Sequence, residues 1–223
     1  MQRRAKVQKN TSLVDYYAKR AGEYERLYEK PERQADLAAL RQFCARMLAG
    51  QNVLEIACGT GYWTQTASQT ARSILATDIN AEMLEIARSK EYECDVEFAR
   101  ADAFNLESLS HNGFTAGMAM AWWSHLRKSE IDRFLDGYHR LFRPGALMVY
   151  MDNRFVPGSN LPICRTDEEG NTYQLRSLKD GTTHEVLKNF PSEIELRKLL
   201  AGKVMDFNWK QLPYYWVLTY KLA

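Results

Sequence analysis

Glu55, Gly59, Gly61, Asp78, Asp102 and His125 are residues whose types and spacing could hold a ligand and act on it. Gly59 and Gly61 permit backbone angles that a Cβ forbids, and they let a ligand approach the main chain. A dinucleotide fingerprint needs G-x-G-x-x-G. The register from 57 reads Ala57, Gly59, Tyr62, and the register from 59 reads Gly59, Gly61, Thr64, so neither fits. A phosphate-cradling P-loop needs Lys and then Ser or Thr after its last glycine, and these are absent here. A carboxylate at Glu55, just before the glycines, repels a pyrophosphate and suits a ligand carrying positive charge. Asp78 stands about 17 residues past Gly61, near the roughly 20 at which an acidic residue grips ribose hydroxyls. His125 is the acid/base candidate, since imidazole titrates near neutral pH.

Such residues need elements to present them. Val53, Leu54 and Ile56 form an apolar run into the glycine turn, and a helical segment follows from about Tyr62 to Ala71. Strand, glycine loop and helix open a nucleotide-type α/β fold, with its ligand at the strand's carboxyl end. S-adenosylmethionine, with its sulfonium and α-amino group, has the charge that Glu55 suits. The stretch Glu55 to Gly61 resembles the first motif, E/D-x-G-x-G-x-G, of the class I S-adenosylmethionine-dependent methyltransferases of small-molecule type. Ala57 stands where the first glycine usually is. The resemblance covers 50–222, with a weaker match for the N-terminal helices. It implies a doubly wound α/β fold with a seven-stranded, mostly parallel sheet of order 3-2-1-4-5-7-6, strand 7 antiparallel. It divides the chain into a tail with lid helices over 1–49 and a methyltransferase domain over 50–223, with a β-hairpin insertion at 155–191.

The resemblance also implies roles. Glu55, Ala57, Gly59 and Gly61 form the cofactor loop, Asp78 holds the ribose, Ile79 flanks the adenine and Met83 stands on the helix behind. Asp102 meets the adenine amino group, a donor that needs an acceptor, and Ala103 and Phe104 line the ring. Ala121 and Trp122 sit at the fourth-strand junction, where the family's reactive methyl points. Tyr-Tyr-x-x-Arg-Ala-x-x-Tyr from Tyr16 resembles the N-terminal helix that closes over the cofactor, which gives Tyr17 and Arg20 to the methionine part. His125 is either catalytic or, as often in the family, a structural hydrogen-bonding group. Trp123, Arg154, Tyr173 and Arg176 are acceptor-side candidates, with Arg165 and His184 beside them.

Along the chain, residues 1–12 read as a frayed polar terminus. Leu13 to Tyr28 and the segment after Pro31 read as helices with apolar stripes at helical spacing. Asn80 and Ser129 are candidate caps for the helices that follow them. Pro157, Gly158 and Pro162 make an open loop, and Thr172–Leu178 pairs with Thr183–Lys188 across Asp180-Gly181. That insertion either covers the acceptor or is a surface hairpin or dimer contact.

Composition narrows the partners. The 223 residues carry 30 Lys and Arg against 28 Asp and Glu, a net +2 that makes no electrostatic case for nucleic acid or an acidic membrane. There is no apolar run of about 18 residues for a spanning helix and no signal-peptide core. The four cysteines form no C-x-x-C pair, which points to free thiols in the cytoplasm and to no metal. The Pro-Pro-Tyr/Phe motif of nucleic-acid amino-methyltransferases is missing after the fourth strand, and so is the Pro-Cys nucleophile of cytosine-C5 enzymes. Methyl transfer to an O or N atom of a small acceptor, by a monomer or homodimer, is the expectation. Its rivals are a macromolecular acceptor, aminopropyl transfer, and a non-catalytic S-adenosylmethionine-binding protein. Asp78→Ala is expected to weaken S-adenosylhomocysteine binding. A calorimetric affinity within about twofold of the parent would remove Asp78 from the ribose site.

Overall fold

The computed structural model describes residues 7–8, 12–107, 109 and 113–223. Its elements in chain order are β1 (Val7–Gln8), α1 (Leu13–Arg20), which runs into a 3-10 helix (Ala21–Tyr28), a second 3-10 turn (Pro31–Arg33), α2 (Gln34–Met47), β2 (Asn52–Ile56), α3 (Tyr62–Ser68), β3 (Ser73–Asp78), α4 (Ala81–Arg88), β4 (Asp95–Arg100) and β5 (Ala116–Met120). The chain continues through two 3-10 turns (Trp123–His125 and Lys128–Glu130), α5 (Ile131–His139), β6 (Leu147–Asn153), β7 (Ile163–Thr166), β8 (Thr172–Ser177), β9 (Thr183–Leu187), α6 (Glu193–Leu200), β10 (Val204–Gln211) and β11 (Tyr215–Leu222).

The main sheet has the order β10-β11-β6-β5-β2-β3-β4. Counted along these seven strands, that is 3-2-1-4-5-7-6, with β11 antiparallel to both β6 and β10. Parallel strands buried on both faces read as continuous apolar runs. β5, Ala-Gly-Met-Ala-Met, is such a run, and all five residues are buried. One face packs on α5 and α6 through Leu54, Phe134, Tyr138, Leu196 and Trp216. The other packs on α2 and α3 through Leu37, Leu40, Val53, Trp63 and Val217. Alternation along β2 sends Val53 to one layer and Leu54 to the other.

The second sheet, β1-β9-β8-β7, grows from the insertion. The expected hairpin is present as β8 and β9, paired Tyr173 to Leu187 through Ser177 to Thr183. Two strands were not expected. β7 follows the Pro162 loop and pairs antiparallel with β8. Val7 and Gln8, assigned above to a frayed terminus, pair in parallel with Thr183 and His184. The other residues of that terminus up to 11 lie outside the described residues. Local caps also differ. Asn80 occupies the N-cap of α4 without a side-chain cap bond, and its backbone N–H goes to Asp78 Oδ1 at 2.8 Å. Ser129 stands inside a 3-10 turn and donates to Glu169. Ser192 and Glu195 do form a reciprocal capping box on α6. No helix among the described residues is long and apolar enough to cross a membrane.

Gly117 sets how closely α5 approaches the sheet. A β-carbon there would lie 2.5 Å from Met148 Cε and 2.8 Å from the Tyr138 hydroxyl, which donates to Leu54 O at 2.6 Å. Gly117→Ala is expected to cost about 1–3 kcal/mol through overpacking. A urea midpoint equal to the parent's would show that this contact has slack.

Candidate active site

The site lies where β2, β3, β4 and β5 end. Ala57 leaves β2 with φ +54, and Gly59 and Gly61 follow at +57 and +79. Only glycine takes such angles at no steric cost, so Ala57 is a strained member of the loop. Asp78, at the end of β3, clamps the loop: its Oδ2 accepts from Gly59 N at 2.9 Å, and its Oδ1 accepts from Asn80 N. Burial raises the Asp78 pKa while these backbone N–H groups oppose that rise. Asp102 accepts from Phe104 N at 2.9 Å, which turns the chain so that Ala103 and Phe104 face the same space.

The residues after β5 divide into two directions. Ala121 takes φ +56, and a 3-10 turn over Trp123–His125 follows. Trp122 faces Phe104 and Phe134, with ring centres 6.3 and 6.0 Å away. Trp123 turns inward against Tyr150 and Trp216. His125 Nδ1 lies 2.8 Å from Leu187 O, and its Nε2 lies 2.7 Å from the Tyr17 hydroxyl. A carbonyl only accepts, so Nδ1 carries the proton and Nε2 receives the Tyr17 O–H. Burial, then Lys188 and Arg176, push the His125 pKa well down, and Asp152 opposes them. His125 is therefore a neutral imidazole whose lone pair is already engaged.

The N-terminal helices close the space from above. Tyr24 lies over Gly59, 3.6 Å from where a β-carbon there would stand. The Thr60 hydroxyl donates to Glu25 Oε1 at 2.6 Å, and Lys90 pairs with the same carboxylate. The inserted sheet closes the far side through Tyr173, Glu185 and Leu187. Together these walls enclose a cavity of about 530 Å³.

A family model described as a methyltransferase domain matches residues 53–145. The ubiquinone biosynthesis O-methyltransferase of Chelativorans sp. (strain BNC1) is 29% identical over 164 residues, which are 72% of this chain and 61% of that protein. The malonyl-[acyl-carrier protein] O-methyltransferase of Yersinia pestis is 26% identical over 132 residues, 59% of this chain and 43% of that protein. The chain thus spans less than two thirds of the length of these curated relatives. Among solved structures, the complex of DhpI with SAH is 27% identical, covers 94% of this chain and 95% of its own, and superposes with a TM-score of 0.74.

Residues 53–145 form a methyltransferase domain, and the chain shares the fold of DhpI.

Of the expected site residues, Ala57, Gly59, Asp78, Ile79, Met83, Asp102, Ala103, Phe104, Ala121 and Trp122 line one cavity, with Tyr17, His125 and Tyr173. Others do not reach its wall. Glu55 turns beneath the loop and accepts from the Thr64 hydroxyl at 2.6 Å, so it does not face a cationic ligand as its charge suggested. Burial pushes its pKa up to about 8, with Thr64 opposing. Gly61 caps α3 and backs onto α4, where a β-carbon would meet the Tyr92 hydroxyl at 2.5 Å. Arg20 donates to Tyr16 and stands over the Tyr24 ring. Trp123 is core, because one residue of a 3-10 turn reverses its direction relative to Trp122. Arg154 is occupied by the carbonyls of Leu212 and Pro213 in the β10–β11 turn. Arg176 lies behind Tyr17, 3.4 Å from its hydroxyl. Arg165 grips Glu185, and His184 is buried against Tyr16.

Sequence reasoning passed over Tyr24, Leu13, Arg127 and Leu187, which also line the cavity. The alternation of Glu185 with Leu187 along β9 was the available signal, since strand period 2 puts both on one face. Lys188, on the other face, pairs with Asp152 at 3.0 Å and donates to Ser124.

Glu55 gives stability a dependence on pH. Its carboxyl keeps a proton in the folded chain up to about pH 8, whereas the unfolded chain releases it near 4.3, so stability falls by up to about 1.4 kcal/mol per pH unit between those values. Glu55→Gln lacks that loss. Its advantage over the parent should be absent near pH 4, grow as pH rises, and level off above about pH 8. Urea midpoints that differ by the same amount at every pH would refute this.

Proposed function

We propose that this chain moves the methyl of S-adenosylmethionine to an O or N atom of a small-molecule acceptor and leaves S-adenosylhomocysteine. The observation that carries this reading is the single cavity that joins Gly59, Asp78, Asp102 and the Ile79–Phe104 wall to Tyr17, His125 and Tyr173. Its volume, about 530 Å³, lies within the range of small-ligand pockets. The residues present fit the donor. Asp78 and Asp102 offer carboxylate lone pairs for ribose hydroxyls and an exocyclic amine. Ile79, Ala103 and Phe104 offer an apolar slot for a planar ring. Trp122 lines the same space, and its buried indole N–H has no partner among the described residues.

When bound, S-adenosylmethionine supplies a methyl on a positively charged sulfur, already activated toward a nucleophile. The protein's part is then positioning and exclusion of water. Asp78 holds the loop by its backbone, and Tyr24 covers Gly59. The helices between residues 13 and 47 act as the lid, tied to the loop through Glu25 and Thr60. His125 holds the Tyr17 hydroxyl at the cavity wall. A concave pocket walled by the lid and the inserted sheet suits a small acceptor.

Calorimetry with S-adenosylhomocysteine is the first test: binding is expected, and no heat would sink the reading. Methyl-tritiated S-adenosylmethionine is then incubated with the protein and either the small-molecule or the macromolecular fraction of a cell extract. Label is expected in the small-molecule fraction. Label confined to macromolecules would reassign the acceptor, and binding with label in neither would leave a non-catalytic cofactor-binding protein.

A further inference from the structure

Behind the wall made by Tyr17 and His125 stand three cations, Arg20, Arg176 and Lys188. Only Lys188 has a carboxylate partner, Asp152. Among the described residues, neither Arg20 nor Arg176 takes part in an ion pair. Arg176 donates to neutral groups alone, Gln174 Oε1 at 3.1 Å, the Tyr17 hydroxyl at 3.4 Å and Tyr16, and Arg20 donates to the Tyr16 hydroxyl at 3.0 Å. The three act on one another. Burial lowers the Lys188 pKa to about 8, and Arg176 and Arg20 press the same way against Asp152. Acidic groups at the cavity wall lie elsewhere. Asp78 and Asp102 are at the donor end, Glu130 is on the Lys128–Glu130 turn, and Glu185 is held by Arg165 at 2.7 Å. Arg20 and Arg176 are each half-buried, and their partners are hydroxyls and an amide rather than a carboxylate. Three cations against one carboxylate leave an excess of positive charge that an anion entering at Tyr17 would offset.

We propose that the methyl acceptor carries an oxyanion, a carboxylate or a phosphate-type acid group, which Tyr17 meets at the cavity wall with the Arg176 guanidinium behind it. This rests on the methyl-transfer reading. Rotation about the phenol C–O bond turns the Tyr17 O–H from His125 toward an incoming oxygen. Arg176 does not reach the cavity wall, and supplies its positive charge from behind the Tyr17 hydroxyl that it donates to. The donor's own methionine carboxylate is the competing anion. Arg20 suits that end, because its guanidinium stands 5.7 Å over the Tyr24 ring that covers Gly59. Arg176 comes from β8 of the inserted sheet and reaches both Tyr17 and Tyr16.

Calorimetry on protein saturated with S-adenosylhomocysteine tests the assignment. Inorganic phosphate and acetate are titrated separately at constant ionic strength, and the two titrations separate a phosphate-type site from a carboxylate site. At least one should bind in roughly the millimolar range. Arg176→Gln should weaken that binding by about tenfold or more and hold S-adenosylhomocysteine affinity within about twofold. Tyr17→Phe, which keeps the ring, should weaken the anion as well, and Arg176→Lys, which keeps the charge, should retain part of the affinity. These two decide the matter if Arg176→Gln does not fold. No heat with either anion, or anion binding equal to the parent's in the variants, would overturn the proposal. So would a loss of S-adenosylhomocysteine affinity in Arg176→Gln with the anion unaffected, because the guanidinium would then serve the donor. A parent that binds no S-adenosylhomocysteine would overturn the methyltransferase reading itself, and this with it.

Discussion

A buried ion pair joins the two sheets. Lys188, just past the end of β9, pairs with Asp152 near the end of β6, and both side chains are almost wholly removed from water. Asp152 also accepts from Ser124 N at 2.9 Å, and Lys188 donates to the Ser124 hydroxyl. Burial works against the Asp152 charge, but Lys188 and the neighbouring donors hold its pKa down to about 2. Asn189 extends the joint, with N–H to Ser124 O at 2.7 Å and its amide to Leu126 O at 2.9 Å. Breaking such a pair leaves an uncompensated buried charge, a loss of about 3–5 kcal/mol. The inserted sheet is therefore docked in one place, and Leu187, next to Lys188, is held where its carbonyl sets the His125 tautomer.

A second joint runs through aromatic rings. Tyr28 stacks on Tyr62 at 3.9 Å and accepts from the Trp63 indole at 3.0 Å, which ties the Ala21–Tyr28 helix to the start of α3. Arg33 reaches Asn153 at 2.7 Å and so fixes the start of α2 against the end of β6. The helices over the cavity thus share anchors with the glycine loop and with the strand ends beneath it. Few of these contacts are local in sequence, and the walls of the site come from segments more than a hundred residues apart, as with Tyr17 and His125.

What could be read from the chain alone was what local patterning controls. The apolar runs, the glycine loop, the acidic residues closing β3 and following β4, and the Asp180-Gly181 turn carry their own signals, and the strand order followed from the family resemblance. What could not be read was direction. Glu55 looked like a ligand-facing charge because of its place in a motif, yet its side chain turns to Thr64. Two adjacent tryptophans looked alike, and a 3-10 turn sends one to the cavity and the other to the core. Arg154 and Arg176 were nominated by charge, and their partners are tertiary: a turn near the carboxyl end and a tyrosine from α1. β1 was illegible because two residues of strand gain their meaning only from the partner they pair with.

Ala57 and Ala121 both hold left-handed backbone angles, and both line the cavity. An alanine scan passes over them in silence, since they are already alanine, and a survey of side-chain contacts finds little to report. Yet any β-branched replacement would meet the steric barrier of that conformation in full. These two positions constrain the chain through torsion alone, and in a saturation library they should emerge as sites that accept glycine and reject bulk.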